Sequence, residues 1–359
     1  MRTFLDRFRA RPQPARQPVG LALQGGGSWG AYTWGVLDVL LASRRVAVAQ
    51  LSGASAGAIN GAIVAGALAN GSAARAREAL SAFWKGIASP TLGSVPLGGP
   101  AERAWRESMG IWLLTTGALS PYHANPLGIN PLREAIEAHV DIDAIRSPSA
   151  PPLFVSLTNV RTGLPRLISN REMTIDALLA SACLPQLFQA VEIDGEPYWD
   201  GGYLGNPALG PMIRSGVAGD LIVVQLVPDG ADDVPRDAVS IRRRVGEIVF
   251  NSSLVAEMQA IAAMREVAGS RRTPFRSVRL HRIGPPPREL LQQGSPLERS
   301  PAWLEHLRAE GRAAAKGFIT RHGSDLGVRE TLDVAGAFAD SRNDAESAAN
   351  EPVYGCGAG

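Results

Sequence analysis

Cysteine is scarce in this chain, and so are long apolar runs. Only Cys183 and Cys356 occur, which leaves no disulfide framework and fits a reducing compartment. No stretch reaches the roughly 18 apolar residues that a membrane-spanning helix needs. The basic start, residues 1–20, lacks the apolar core of a secretory signal. These absences together predict a cytoplasmic protein.

An excess of charge of one sign is also missing. The 359 residues carry 36 Lys and Arg against 34 Asp and Glu, a formal net charge of +2. That balance is too small to indicate a nucleic-acid partner. No group of Cys, His, Asp and Glu has metal-ligand spacing, so no metal is expected. With 45% hydrophobic and 19% charged residues, the composition is typical of a globular protein.

Apolar strands alternate with helical stretches along the sequence. The strands are predicted over Val19–Leu23, Val46–Ser52, Pro152–Val160 and Leu221–Val227, and a long amphipathic helix over Ser240–Val267. This alternation predicts an α/β fold, a three-layer α/β/α arrangement around a mostly parallel central sheet.

Composition divides the chain into four regions. We predict a basic flexible arm at 1–17, a main domain at 18–230, a helical extension packed on it at 231–332, and a flexible tail at 333–359. Within the main domain, residues 89–129 are rich in Pro and Gly and show no clear period. They fit a cap or lid over a site, and a simple packed excursion is the alternative.

Three successive glycines, Gly25–Gly27, follow the first predicted strand. Because glycine loses the most backbone entropy on folding, such a run indicates a special backbone role. The run also fits the dinucleotide fingerprint, but that site needs an acidic residue roughly 20 positions further on. No Asp or Glu lies between Val39 and Arg77, and the lysine of a phosphate-binding Walker loop is missing. An anion cradle is therefore favoured, with a purely structural turn as the alternative.

The second informative stretch is Gly-Ala-Ser-Ala-Gly at Gly53–Gly57, with Ser55 at its centre. A sharp strand-to-helix turn of this type exposes the serine hydroxyl at the carboxyl end of its strand. One helix and one strand separate it from the glycine run, so a right-handed crossover brings both loops to the same sheet edge. There, backbone amides could stabilise the oxyanion that forms when Ser55 attacks an ester. The candidate donors are the amides of Gly25, Gly26, Gly27 and Ser28.

A serine nucleophile needs a proton acceptor, usually histidine. The chain has only five histidines, none in a distinctive context. A triad of Ser55 and Asp200 with His281 or His322 is formally available. However, the elbow of an α/β-hydrolase normally follows several strands, whereas Ser55 follows only one usable strand.

Asp200 itself lies in "YWDGG", just after a hairpin that is predicted to turn at Asp194 and Gly195. The ordered series Gly25–Gly30, Gly53–Gly57 and Asp200–Gly202 resembles the patatin-like phospholipases. The segment "SACLPQLFQAVEIDGEPYWDGG" is also similar to the one that leads to the catalytic aspartate in bacterial members.

The resemblance covers roughly residues 19–230. It implies a patatin-like fold and a Ser–Asp dyad without histidine, in which Ser55 is the nucleophile and Asp200 the base and then the acid. It implies a serine acyl hydrolase that cleaves carboxylic esters of lipids through an acyl-enzyme, without a cofactor. One departure is Trp29, where the family often carries Arg or Lys. The glycines that support the motifs are Gly30, Gly53, Gly57, Gly201 and Gly202.

Two other functions use the same residues. An acyltransferase would share the acyl-enzyme, and a lipid-binding regulatory protein would keep the pocket without the chemistry. The expected partner is a lipid ester. Peripheral contact with an anionic membrane at its inner face is a further expectation, based on the basic stretch Ile241–Val245, although a solvated helix end explains that stretch equally well.

Overall fold

The computed structural model describes residues 16–89, 120–231 and 233–338. Most of the predicted basic arm, the central part of the predicted lid and most of the predicted tail therefore lie outside the described residues, as does Cys356. The flexibility of these regions and the lid role stay predictions.

One mixed sheet of eight strands forms the centre of the molecule, in the order β5-β6-β3-β2-β1-β7-β8, with β4 paired to β3. The five strands from β3 to β8 along this order run parallel, and β4, β5 and β6 pair antiparallel. The strands are β1 (Gln17–Leu23), β2 (Val46–Gly53), β3 (Leu153–Asn159), β4 (Pro165–Ile168), β5 (Val191–Ile193), β6 (Glu196–Asp200), β7 (Asp220–Val224) and β8 (Arg279–Ile283).

Helices surround the sheet, and several start at side chains that cap them. Ser72 accepts a hydrogen bond from the backbone of Arg75, and Asp237 caps the longest helix in the same way. The α-helices of the described residues are α1 (Gly30–Ala42), α2 (Ala56–Ala69), α3 (Ala73–Ile87), α4 (Pro121–Ala124), α5 (Pro131–His139), α6 (Ile142–Arg146), α7 (Ile175–Ser181), α8 (Gly210–Ser215), α9 (Ala238–Ala268), α10 (Pro274–Ser277), α11 (Arg288–Leu291), α12 (Pro301–His322) and α13 (Val334–Ala337).

Each face of the sheet carries its own hydrophobic core. Alternation along β1 sends Leu21 and Leu23 into a core with α1, α2, α3 and α12, and sends Ala22 into a second core with α8 and α9. Helices thus cover both faces of a mostly parallel sheet. The predicted three-layer α/β/α fold is confirmed. None of the helices within the described residues is both long and apolar enough to cross a bilayer.

The structure corrects two predicted boundaries. Residues 231–332 were predicted as a helical extension, but they include β8, which extends the central sheet beside β7. The arm was predicted to reach residue 17, yet β1 begins at Gln17.

One strand, predicted over Leu221–Val227, is shorter than predicted. Strand β7 stops at Val224; the Gln225 amide still donates to the Ile283 carbonyl, and the amides of Leu226 and Val227 then donate to the Gln24 side chain. Helix α7 ends at Ser181, ahead of Pro185.

Candidate active site

Ser55 occupies a strained turn between β2 and α2. Its backbone has φ 52° and ψ −127°, a left-handed conformation that non-glycine residues rarely adopt. The Ser55 amide donates hydrogen bonds to the carbonyl oxygen of Ser181 at 3.1 Å and to its hydroxyl at 3.0 Å. These contacts hold the turn, so that Ser55 lies at the carboxyl end of its strand.

The two glycines of this turn are required by close backbone contacts. A β-carbon on Gly53 would lie 2.7 Å from the amide nitrogen of Ala58, and one on Gly57 would overlap the carbonyl oxygen of Leu23. Real β-carbons do not approach backbone atoms this closely. The Ser55 turn is therefore packed directly against the end of β1.

The glycine run lies beside Ser55. A β-carbon on Gly25 would be 2.7 Å from the Ser55 β-carbon, and one on Gly30 would be 2.6 Å from the Ala56 β-carbon. Gly27 has φ +59°, and its α-carbon faces the Pro296 carbonyl. The two loops that were predicted to meet at one sheet edge are in contact.

Substitution of Gly25 by alanine tests this contact. We expect Gly25→Ala to lower kcat by about 100-fold, because the new methyl group displaces the Ser55 side chain from its position. The measurement is steady-state ester hydrolysis with a thermal melt to verify folding. Gly246→Ala is the matched control, since a β-carbon there meets nothing within 4 Å. Equal activity of Gly25→Ala and wild type would contradict the prediction.

Two of the four predicted oxyanion donors are engaged elsewhere. The Gly25 amide donates to Oδ1 of Asn206 at 2.6 Å, and the Ser28 amide donates to the Pro296 carbonyl at 2.7 Å. The amides of Gly26 and Gly27 have no acceptor among the described residues. Of the four amides predicted as oxyanion donors, those of Gly26 and Gly27 are therefore the ones without an acceptor in the described part of the chain.

One further amide was missed by the sequence analysis. Ala56 begins α2 directly after Ser55, and its N–H has no acceptor within the described part of the chain. The residue after the nucleophile supplies an oxyanion donor in serine elbows generally. Its position in Gly-Ala-Ser-Ala-Gly was the signal that could have identified it.

Asp200 ends β6 and is completely buried. Its Oδ1 accepts a hydrogen bond from the Gly202 amide at 2.7 Å. Burial raises the pKa of Asp200 to about 7, while the hydrogen bonds from Gly202 and from the Ser55 side chain lower it. The Ser55 hydroxyl is thus close enough to affect the carboxyl group. Even so, Oδ2 has no hydrogen-bond partner of ordinary length and angle among the described residues.

The two glycines after Asp200 allow its loop to pack tightly. A β-carbon on Gly201 would overlap the Ser156 carbonyl, and one on Gly202 would lie 2.6 Å from the Phe250 ring. The loop therefore lies between β3 and α9. The backbone of Asp200 is held as well, since its amide donates to the Cys183 carbonyl at 2.9 Å.

The histidines of the alternative triad lie elsewhere. His281 is completely buried, and its ring nitrogens contact Asp220 at 3.0 Å and Thr331 at 2.9 Å. His322 pairs with Asp325 at 3.2 Å. Asp220 opposes Val19 in the sheet, at the end of β1 away from the glycine run. Neither histidine is a partner of Asp200.

Buried amide side chains hold the glycine run in place. Gln24 accepts hydrogen bonds from two backbone amides after β7, at 2.7 and 2.8 Å, and donates to Asn251 at 3.0 Å. Asn206 accepts from Gly25 and donates to the Phe250 carbonyl at 2.9 Å. Sequence reasoning did not identify these residues. The sequence does place Gln24 directly before the glycine run and Asn206 four residues after Gly202, and this closeness to the motifs could have indicated a role for both.

No group of three or more His, Cys, Asp or Glu side chains could hold a metal ion in the ranges that the structure describes. Cavities of about 250, 230 and 120 Å³ open among the described residues, and none of these three is lined by Ser55 or Asp200.

A family model described as patatin-like phospholipase matches residues 21–213. The chain belongs to the patatin-like phospholipase family. The matched range includes all three motifs, from the glycine run through Ser55 to Asp200. The sheet and its surrounding helices are the patatin fold, and the chain is a lipid acyl hydrolase by family.

Solved structures of two bacterial proteins are similar to this chain at low identity. VipD from Legionella pneumophila is 15% identical, with a TM-score of 0.43, and the match covers 86% of this chain and 67% of VipD. The type III effector ExoU is 16% identical, with a TM-score of 0.35 and coverage of 85% and 53%. This chain thus spans about half the length of ExoU. A search of curated proteins found no significant match.

Proposed function

We propose that this patatin-like protein cleaves carboxylic ester bonds of lipids through a dyad of Ser55 and Asp200. The observation that carries the proposal is the state of Asp200: a completely buried carboxyl group with a pKa of about 7, influenced by the Ser55 hydroxyl and with one oxygen free to accept a proton.

The chemistry follows from these positions. Ser55 Oγ attacks the ester carbonyl carbon, and its proton passes to the Asp200 carboxylate. The carbonyl π electrons move to the oxygen, where the amides of Gly26, Gly27 and Ala56 are the available donors. Collapse of the tetrahedral intermediate breaks the bond to the alcohol, which takes the proton from Asp200 as it leaves. Water then attacks the acyl-enzyme and gives its proton to Asp200. The fatty acid leaves, and Ser55 Oγ takes the proton back from Asp200, which restores the free enzyme.

A raised pKa makes an aspartate a useful base. In water its pKa is near 3.9, so its carboxylate holds a proton poorly at neutral pH. At about 7, Asp200 is ionised in a large fraction of molecules near neutral pH and still has substantial proton affinity. Burial therefore supplies the basicity that histidine supplies in a triad.

The pH dependence of hydrolysis tests this role. We expect kcat/KM to rise about tenfold per pH unit below pH 7 and to level off above it, because only ionised Asp200 accepts the Ser55 proton. The measurement uses a neutral short-chain p-nitrophenyl ester, with Ser55→Ala as the blank. If kcat/KM instead levelled off above about pH 4, the base would be an ordinary exposed carboxylate, and the assignment of Asp200 as the base would be contradicted.

The reaction type is tested by product analysis. Phospholipids, lysophospholipids, acylglycerols and p-nitrophenyl esters are incubated with the wild-type protein and with Ser55→Ala. We expect free fatty acid from the wild type and none from the variant. If the acyl group were instead recovered on an added alcohol in preference to water, the chain would be an acyltransferase. Failure of a fluorophosphonate probe to label Ser55 in folded protein would indicate a lipid-binding role.

We also propose peripheral contact with an anionic membrane through the first half of α9. Ile241, Val245 and Ile248 lie at helical spacing on one face and are 43%, 54% and 52% exposed. Arg242 is exposed beside them. Phe250 of the same helix packs against Gly202, next to Asp200. Phe250 lies on the opposite face of the helix from Ile241 and Ile248, so a bilayer that receives the apolar face would be about one helix diameter, roughly 10 Å, from the loop that holds Asp200.

Vesicle binding tests the contact. We expect Val245→Asp to reduce co-sedimentation with vesicles that contain anionic lipid, because it introduces a negative charge into the apolar face. Val217→Asp is the matched control, since Val217 is 44% exposed but precedes β7 in another part of the fold. Equal losses in both variants, or no loss in either, would contradict the proposal.

A further inference from the structure

The glycine run is bonded at both of its ends to parts of the chain that are remote in sequence. At one end, the Gly25 amide donates to Asn206 Oδ1 at 2.6 Å, and at the other, the Ser28 amide donates to the Pro296 carbonyl at 2.7 Å. The two amides between them are the proposed oxyanion donors. The donors therefore lie in the middle of a segment whose ends are both fixed.

The glycines themselves do not fix the direction of these two amides. Gly26 has φ 173° and Gly27 has φ 59°, so the backbone changes from an extended to a left-handed conformation within two residues. Because glycine populates positive and negative φ about equally, the run could adopt other conformations. A reacting group that is displaced by about 1 Å can cost about 100-fold in rate. Catalysis by the Gly26 and Gly27 amides therefore needs contacts from outside the run.

Asn206 is held in place by helix α9. It is completely buried, its Nδ2 donates to the Phe250 carbonyl at 2.9 Å, and its backbone amide donates to Ser253 Oγ at 2.9 Å. These bonds fix the side-chain amide, so that Oδ1 faces the Gly25 N–H. Asn206 also belongs to the loop that follows Asp200. Its bond to Gly25 therefore sets the position of the glycine run relative to the proposed base.

The loop between α11 and α12 holds the other end of the run. Ser28 is 7% exposed, and its hydroxyl donates to the Ser295 carbonyl at 3.0 Å, beside the bond from its amide to Pro296. This loop is attached to the first core on both sides, by Leu291 before it and by Trp303 after it. Its two carbonyl groups are therefore fixed acceptors.

These supports lie outside the part of the chain that matches the family model. The match ends at residue 213, whereas α9 and the loop between α11 and α12 follow it. Residues 231–332 were predicted as an extension packed on the main domain. The contacts give this region a part in forming the site, since Phe250 and Ser253 hold Asn206, and Pro296 holds Ser28.

We propose that Asn206 and Ser28 are positioning residues, which hold the glycine run from both ends so that the Gly26 and Gly27 amides face the oxyanion. Neither side chain contacts the ester in this arrangement, and each acts through the backbone of the run. The inference rests on the proposed ester hydrolysis and specifies which residues set the geometry of its oxyanion site.

Substitution of Asn206 tests one end of the run. We expect Asn206→Ala to lower kcat for a p-nitrophenyl ester by about 50-fold and to leave KM within about twofold, because the amides bind the oxyanion and not the ground-state ester. Asn170→Ala is the matched control. Asn170 also accepts from a backbone amide, that of Leu153 at 2.7 Å, and donates to the Ile145 carbonyl at 2.9 Å, but it lies at the start of β3, away from Asp200. This control should lose stability and keep its kcat.

Ser28→Ala tests the other end. It removes the bond to the Ser295 carbonyl and keeps the bond from the Ser28 amide to Pro296, so we expect a smaller loss in kcat, about fivefold. This variant decides the proposal by itself if Asn206→Ala does not fold. An unchanged kcat in Ser28→Ala would then overturn it.

A trifluoromethyl ketone separates positioning from a loss of stability. Ser55 Oγ bonds to its carbonyl carbon, the serine proton passes to Asp200, and the carbonyl oxygen becomes an oxyanion that needs the same amides. The inhibition constant of octyl trifluoromethyl ketone should therefore rise in each variant by the factor by which kcat falls. If Asn206→Ala, like Asn170→Ala, lowered the melting temperature and changed neither kcat nor ketone affinity, its role would be structural only. An increase in KM with kcat unchanged would indicate a contact with substrate. Either result overturns the proposal.

Hydrogen exchange measures the support of the run without catalysis. In the Ser55→Ala protein, the peptide that contains residues 24–29 should exchange faster when Asn206→Ala is added, because the Gly25 amide loses its acceptor, and not when Asn170→Ala is added. If the wild type cleaved no ester and formed no ketone adduct, the proposed function would fail and the positioning role with it, while exchange would still show whether Asn206 holds the run. If hydrolysis depended on Ser55 but exchange, kcat and ketone affinity did not respond to Asn206, the positioning role would be wrong and the dyad would stand.

Discussion

Ser55→Ala is expected to reduce ester hydrolysis by at least about 10⁴-fold, because the acyl-enzyme cannot form without the hydroxyl. The substitution leaves the elbow intact: its backbone is held by Ser181 and by the close packing of Gly53 and Gly57. Thermal stability should therefore change little. Free fatty acid release and covalent labelling by a fluorophosphonate are the two measurements.

Ser252→Ala is the matched control for this variant. Ser252 is exposed on α9, and its hydroxyl bonds only within the helix, to the Val249 carbonyl. It should keep wild-type activity and labelling. Label found by mass spectrometry on a serine other than Ser55, with activity retained in Ser55→Ala, would contradict the nucleophile assignment.

Asp200→Asn is expected to combine a large loss of activity with a gain in stability. The amide cannot take the Ser55 proton, so kcat should fall by about 10³-fold or more. The side chain keeps its shape and can still accept from the Gly202 amide. Since Asp200 is completely buried, removal of its charge should stabilise the folded state wherever the wild-type carboxyl group is ionised.

The sign of the pH dependence follows from linkage. The folded pKa of about 7 lies above the ordinary aspartate pKa near 3.9, so the folded state holds this proton more tightly than the unfolded chain does. Wild-type stability is therefore reduced progressively as pH rises from about 4 to about 7, and the cost is complete above pH 7. At about 1.4 kcal/mol per unit, the gain from Asp200→Asn reaches at most about 4 kcal/mol.

Urea unfolding at pH 4.5 and pH 8 measures this difference. The stability gap between Asp200→Asn and wild type should be small at pH 4.5 and large at pH 8. Asp194→Asn, on the exposed hairpin turn, is the control and should show no such gap. A gap that does not change with pH would show that Asp200 is not the buried titrating group described above.

Much of the fold follows from local sequence features. Apolar runs such as Val19–Leu23 and Leu221–Val227 predict buried strands, and the turn at Asp194 and Gly195 predicts a hairpin; all three are present. The meeting of Gly25 and Ser55 could also be predicted, since a right-handed βαβ crossover leaves little choice of geometry.

Contacts between distant parts of the chain could not be predicted in this way. The Gly25 amide donates a hydrogen bond to Asn206, and the Ser28 amide donates one to Pro296. Which amides remain free to stabilise an oxyanion therefore depends on residues that are remote in sequence. The strand character of "RLHRI" could be predicted, but not the partners of its polar residues; His281 is buried in β8 by its bonds to Asp220 and Thr331. Such side-chain pairings leave no periodic signal.

The most direct test of the dyad is the rate of the p-nitrophenol burst when folded Asp200→Asn is mixed with a p-nitrophenyl ester at pH 8. This rate reports the acylation of Ser55 before turnover. A burst at least about 10³-fold slower than that of the wild type is the result that Asp200 as the base predicts. A burst at the wild-type rate would show that another group takes the Ser55 proton.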